Sequence, residues 1–100
     1  MTEDMQTTDQ EQDFASVRVV VRGEHGLHAR PAGKLAQRAQ SFRSEIYLLA
    51  GENRADAKSI LDVLTLAAGP GEVVQILARG EDAGEALDSL KTLFERNLED

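Results

Sequence analysis

The chain of 100 residues has no cysteine, no tryptophan and only 2 prolines, and its aromatic side chains are 3 Phe and 1 Tyr. Without cysteine there is no disulfide framework, no thiolate metal site and no thiol nucleophile. With so few aromatics, the core must be aliphatic, built from Val, Leu, Ile and Ala. No apolar run approaches the roughly 20 residues that span a bilayer, so no membrane association is expected. The N-terminus lacks the basic start and apolar stretch of a secretory signal. A single small domain in a reducing, cytoplasmic setting is expected, and a monomer.

Basic residues are scarce as well. There are 11 Lys and Arg against 18 Asp and Glu, a net charge of −7. Nucleic acid is therefore not an expected partner, because a phosphate backbone needs a positive footprint. The distribution is uneven. Residues 1–13 carry Glu3, Asp4, Asp9, Glu11 and Asp13 and no base. They show no periodicity and are expected to form a disordered acidic tail, with the folded domain over 14–100. Between Arg18 and Arg43 the sign reverses, with Arg22, Arg30, Lys34 and Arg38 between them and only Glu24 opposing. A basic segment in an acidic chain points to a local anion site or an acidic protein partner.

Hydrophobic periodicity gives the elements. Ala15–Arg22 alternates Val17, Val19 and Val21 with Arg18, Val20 and Arg22, the pattern of a half-buried strand. From Ala29 to about Gln40, Ala32, Leu35, Ala36 and Ala39 share one helical stripe. Pro31 fits the first turn, where an N–H has no intrahelical partner to lose. Glu45–Ala50 and Arg54–Ala57 read as strands around a short turn, and Ser59 opens a short helix whose apolar residues are Ile60, Leu61, Val63, Leu64 and Leu66. Gly69-Pro70-Gly71 ends that helix. Glu72–Arg79 is a fourth strand, and Ala83 to Leu98 a last helix. The order β-α-β-β-α-β-α packs most simply as an α+β two-layer sandwich, one sheet with its helices on one face.

The chemistry concentrates in Gly26-Leu27-His28-Ala29-Arg30-Pro31-Ala32. His28 stands where the helix begins, a position that Ser, Thr, Asp or Asn would cap better. A helix N-terminus offers unpaired N–H groups and the positive end of a dipole, a ready anion site. A neutral imidazole beside it is a nucleophile whose adduct would lie over those donors. Arg30 adds a guanidinium to the same oxygens. The constellation suits carriage of a phosphoryl group on histidine. The plainer alternative makes His28 and Arg30 ordinary polar residues of a loop and first turn.

The run GLHARPA after a Val-rich strand resembles the active-site signature of the HPr family, the histidine-containing phosphocarriers of the phosphoenolpyruvate-dependent phosphotransferase system. The resemblance covers about Phe14 to Leu98 and includes a second motif, Lys58-Ser59-Ile60-Leu61, opening the short helix. It implies an open-faced β-sandwich, a four-stranded antiparallel sheet covered on one face by three helices. It implies His28 as the phosphorylated residue, on Nδ1, and Arg30 as the residue that steadies the phosphate. It implies phosphorylated enzyme I as donor and enzyme IIA proteins or domains as acceptors. Both would grip a surface offering Leu27, Ile60, Leu61 and Leu64 beside Arg30, Lys34 and Lys58. Such a protein is a carrier with a phosphohistidine intermediate rather than an independently turning-over enzyme, and it needs no metal and no cofactor.

Ser59 has two compatible roles, a plain N-cap and, by the resemblance, a regulatory phosphorylation site for an HPr serine kinase/phosphatase. Asp62, one turn on, would repel a phosphate there. A nitrogen-type branch of the family feeds regulation rather than sugar import, which makes a transcriptional regulator, a kinase or a metabolic enzyme an alternative partner. His25 and His28 are three residues apart but straddle a glycine loop with no supporting carboxylate, a poor metal pair. His25 is expected to line the site as a loop residue.

Overall fold

The computed structural model describes residues 13–23 and 26–98. The acidic segment over 1–12 and His25 lie outside the described residues. Seven elements follow in the order strand β1 (Ala15–Val20), helix α1 (Ala29–Gln40), β2 (Glu45–Ala50), β3 (Asn53–Asp56), α2 (Ile60–Leu66), β4 (Val73–Arg79) and α3 (Ala83–Glu95). The strands form one antiparallel sheet in the order β1-β4-β2-β3. This is the expected open-faced sandwich.

Alternation along the strands decides which face is covered. Val19, Val74, Ile76, Ala78, Ile46, Leu48, Ala50 and Ala55 point inward and are buried. Against them lie the stripes of α1 (Ala32, Leu35, Ala36, Ala39) and α3 (Ala86, Leu87, Leu90, Leu93, Phe94). The register sets Val19 opposite Val74 and Leu48 opposite Ile76, so inward residues meet inward residues across the sheet. Phe94 is the one aromatic ring among the fully buried described residues of this core, with the partly buried Phe42 packed against it.

Several boundaries differ from the sequence expectation. The strand β3 starts one residue earlier, because the hairpin pairs Ala50 with Asn53 across two residues. The helix α2 stops before Gly69, at Ala67, which takes the left-handed conformation (φ 55°) itself. The helix α3 stops at Glu95 although the apolar stripe runs on. Asn97 and Leu98 adopt positive φ, Leu98 N–H donates to Leu93 O at 2.7 Å, and Leu98 is folded back into the core.

One tie fixes α3 to the turn before β2. The Asp82 carboxylate accepts from Arg43 N–H at 2.9 Å, Ser44 N–H at 3.0 Å and the Ser44 hydroxyl at 2.5 Å. Ser44 is the single buried polar residue in the described core, and this tie satisfies it. The Ser44 hydroxyl, and after it the Arg43 backbone N–H, hold the Asp82 carboxyl below the ordinary carboxylate range.

Candidate functional site

The site is built where the first strand leaves the sheet and the chain turns into α1. Val21 N–H donates to Glu72 O, and Gly71 N–H donates to Val21 O. The segment after α2 is thus clamped beneath the loop that follows β1. Leu27 N–H then donates to Ala68 O at 3.0 Å. Gly26 carries φ +68°, and a Cβ there would meet Ala68 O at 2.5 Å and Gly69 Cα at 3.0 Å. Only glycine allows this approach. The left-handed Ala67 turns the Ala68 carbonyl toward the loop, an arrangement that costs a non-glycine residue about 1 kcal/mol. Glu72 holds the same turn by accepting from Gly69 N–H.

On this platform His28 is the N-cap of α1, extended (φ −85°, ψ −169°) and exposed. Its carbonyl accepts from Ala32 N–H at 2.9 Å and starts the helix. Its side chain makes no capping hydrogen bond. Pro31 has no N–H, so Ala29 and Arg30 supply the N–H groups that the helix itself leaves unanswered. No acidic residue stands in the first turn of α1. Arg30 is exposed within that turn. The arrangement joins an accessible imidazole, free helix-end donors and a guanidinium on one small surface. An anion placed there meets positive potential from backbone and side chain together.

The helices α1 and α2 lie side by side in opposite directions. The His28 loop touches Ala68 beyond the end of α2, while Gln40 Nε2 at the end of α1 donates to Lys58 O at its start. Ile60 and Leu61 are 44% and 73% exposed, large apolar side chains that nothing in the described fold covers. Seven helical residues span about 10 Å, which sets the reach from Leu61 to the platform under His28. Leu64 is half-buried on the same helix.

Three expected surface residues behave differently. Leu27 is only 4% exposed and belongs to the core cluster, because its backbone is tied to Ala68 and its side chain turns inward. It therefore offers almost no exposed area in this fold. Lys58 is half-buried, and its Nζ donates to Phe42 O at 2.7 Å. Lys34 lines a groove with Gln37, Arg38, Ser41 and Leu93, on the flank of α1 that faces α3, so it is not brought together with Ile60 and Leu61.

Ser59 caps α2, its hydroxyl accepting from Asp62 N–H at 3.2 Å. Around it Asp56 Oδ1 accepts from Lys58 N–H, and Asp62 Oδ2 accepts from Asp56 N–H. The hydroxyl stands among carboxylates and at the far end of the helix pair from His28. The length of α1, about 18 Å for 12 residues, separates the two ends. No residue pattern signals the Ala67–Gly69 platform, since the Gly-Pro-Gly run reads only as a helix stop.

Residues 15–96 match the family model described as the PTS HPr component phosphorylation site, a span that takes in all seven elements. The chain belongs to the HPr family. It is an HPr-type phosphocarrier component of the phosphotransferase system. It is 39% identical over 83 residues to the phosphocarrier protein NPr of Shewanella violacea, covering 83% of this chain and 91% of that one. It is 41% identical over 81 residues to the HPr-like protein Crh of Bacillus subtilis, covering 81% and 95%. The structure of HPr-C-His from Thermoanaerobacter tengcongensis superposes with a TM-score of 0.80 at 34% identity, covering 86% of this chain and 98% of that chain. The relatives therefore bear HPr, NPr and Crh names alike, and membership in the HPr family does not by itself choose among acceptors.

Proposed function

We propose that His28 accepts a phosphoryl group from phosphorylated enzyme I and passes it to enzyme IIA proteins or domains. The observation that carries this reading is the exposed His28 imidazole, which does not cap its own helix and stands at the unanswered Ala29 and Arg30 N–H groups. Neutral His28 attacks the phosphorus of the donor phosphohistidine. One P–N bond forms as the other breaks, and the donor imidazole leaves with the electron pair. Arg30 and the helix amides hold the transferring oxygens by position and charge. The shallow, exposed setting suits a group that must be handed on, because two successive partners reach the same atom. The apolar Ile60 and Leu61 give partners a desolvated contact on the neighbouring helix, farther along the same side of the helix pair.

The test is phosphorylation by phosphoenolpyruvate and enzyme I. Incorporation of one acid-labile phosphoryl group that vanishes in His28→Ala is expected. Equal incorporation in wild type and His28→Ala overturns the assignment.

A further inference from the structure

The strand β1 is the outermost strand on its side of the sheet, with β4 as its one described neighbour. Both backbone groups of Val21 turn toward that neighbour's end. Val21 N–H donates to Glu72 O at 2.9 Å, and Val21 O accepts from Gly71 N–H at 2.8 Å. Backbone direction alternates along an antiparallel strand. The N–H and carbonyl groups of Ser16, Arg18 and Val20 therefore turn outward, where no described strand receives them. Such an edge is a template for one more strand.

A cleft of about 170 Å³ opens beside this edge, between β1 and α3. The buried Val19 and Phe94 lie at its base, and Val20, 45% exposed, stands on its wall. Arg18, Arg22 and Lys91 line it as well. All three are exposed, and none forms an ion pair in the described structure. Glu95 is the sole acid on the walls, which leaves two positive charges in excess. Across the ladder Arg18 faces Gln75 and Val20 faces Val73, so β4 supplies no carboxylate there. Glu45 and Asp56 stand on β2 and β3, about 10 Å and about 14 Å from β1 by strand spacing.

We propose that the free edge of β1 binds an extended acidic segment of a partner protein, which adds to the sheet as a fifth strand. Open backbone groups supply the ladder, and the unpaired cations select the sign of the occupant. Arg18 and Arg22 lie on the side away from the helices, so they meet carboxylates four residues apart in the added strand. Apolar residues between those acids face the cleft over Val19 and Phe94, with Lys91 at its rim. A second copy of this chain fits worse. Antiparallel pairing of two β1 edges would bring Arg18 and Arg22 of both copies onto one short ladder, where like charges repel. The cleft shares no residue with the His28 platform or with α2, so this binding is independent of phosphoryl transfer.

The probe is a synthetic peptide of about ten residues, strand length, that alternates Glu with Val and Thr, beside a counterpart with Gln for every Glu. Added to the full chain, it should shift the amide resonances of Arg18, Val20, Arg22 and Lys91. It should also slow hydrogen exchange at the Arg18 and Val20 N–H groups, which ladder formation does and ion pairing alone does not. Affinity should fall roughly 2- to 30-fold in Arg18→Gln/Arg22→Gln, the range for two exposed ion pairs, and by more for the Gln counterpart. Both side chains are exposed, so the urea midpoint of the double variant should match wild type. Equal binding of the Gln counterpart, or shifts confined to α1 and α2, overturns the proposal. Edge protection that grows with protein concentration in the absence of peptide overturns it in favour of a second copy. Shifts reproduced by inorganic phosphate, with no slowed exchange under peptide, overturn it in favour of a small anion.

Discussion

The starts of α1 and α2 are built from the same backbone geometry and finished in opposite ways. At α2 a side chain answers one orphan donor. Ser59 accepts from Asp62 N–H, and Asp62 folds back to accept from Asp56 N–H. At α1 the N-cap is His28, which makes no such bond, and no acid enters the first turn. The first arrangement stabilises its helix at once. The second forgoes that gain and keeps a positive helix end open to an anion brought from outside. The contrast teaches that a missing cap is itself a functional signal when a nucleophile stands in its place.

The comparison can be broken from the α1 side. In Arg30→Ala, phosphoryl transfer through His28 should slow by about 10- to 100-fold, the range set by losing one charge-assisted hydrogen bond in the transition state. Because Arg30 is exposed, the urea midpoint should stay unchanged, and single-turnover kinetics with phosphorylated enzyme I measure the rate. Next in size is Gly26→Ala. It places a methyl 2.5 Å from Ala68 O in a left-handed backbone, and should cost about 1–3 kcal/mol in equilibrium urea unfolding. Transfer should slow too, since the platform under His28 shifts.

The α2 side sharpens the same contrast. Ser59→Ala removes the cap and should cost about 1 kcal/mol in urea unfolding while leaving transfer through His28 intact. A Ser59 phosphate would add like charge beside Asp56 and Asp62; Ser59→Asp keeps a capping oxygen but adds that charge, so its urea midpoint should lie below that of wild type. The smallest effect concerns α3, whose N-cap Asp82 is turned away to Ser44 and Arg43. Its carboxyl is held low by those donors. Its stabilising contribution is therefore complete above the unfolded value of about 3.9 and is lost as pH falls through the lower folded value. Urea midpoints measured below about pH 4 should fall more steeply in wild type than in Asp82→Asn.

Local pattern predicted α1 and β2 to the residue, because Ala32, Leu35, Ala36 and Ala39 on one hand, and Ile46, Leu48 and Ala50 on the other, each follow one period without interruption. It failed where backbone closure overrides periodicity. The stripe of α3 continues to Leu98, but Leu98 reaches the core through a left-handed turn rather than a further helical one. The family resemblance offers Leu27 at the surface beside His28, whereas its N–H is bonded to Ala68 O and its side chain is buried in the core. The pairing of Asp82 with Ser44 joins residues 38 apart, a distance across which no local pattern carries information.

The sequence alone determined the elements, the position of His28 at a helix start, and the absence of any cap or acid there, since each follows from residue type and spacing along a few turns. Only the tertiary structure decided what lies beneath and beside that histidine. Contacts between distant segments set the Ala68 carbonyl and the buried Leu27 beneath it, and set the exposed Ile60 and Leu61 farther along the helix pair. Packing of the helices on one face also left the opposite face of the sheet uncovered, and brought Phe14, Tyr47, Arg54 and Arg79 onto it from separate strands and their flanks.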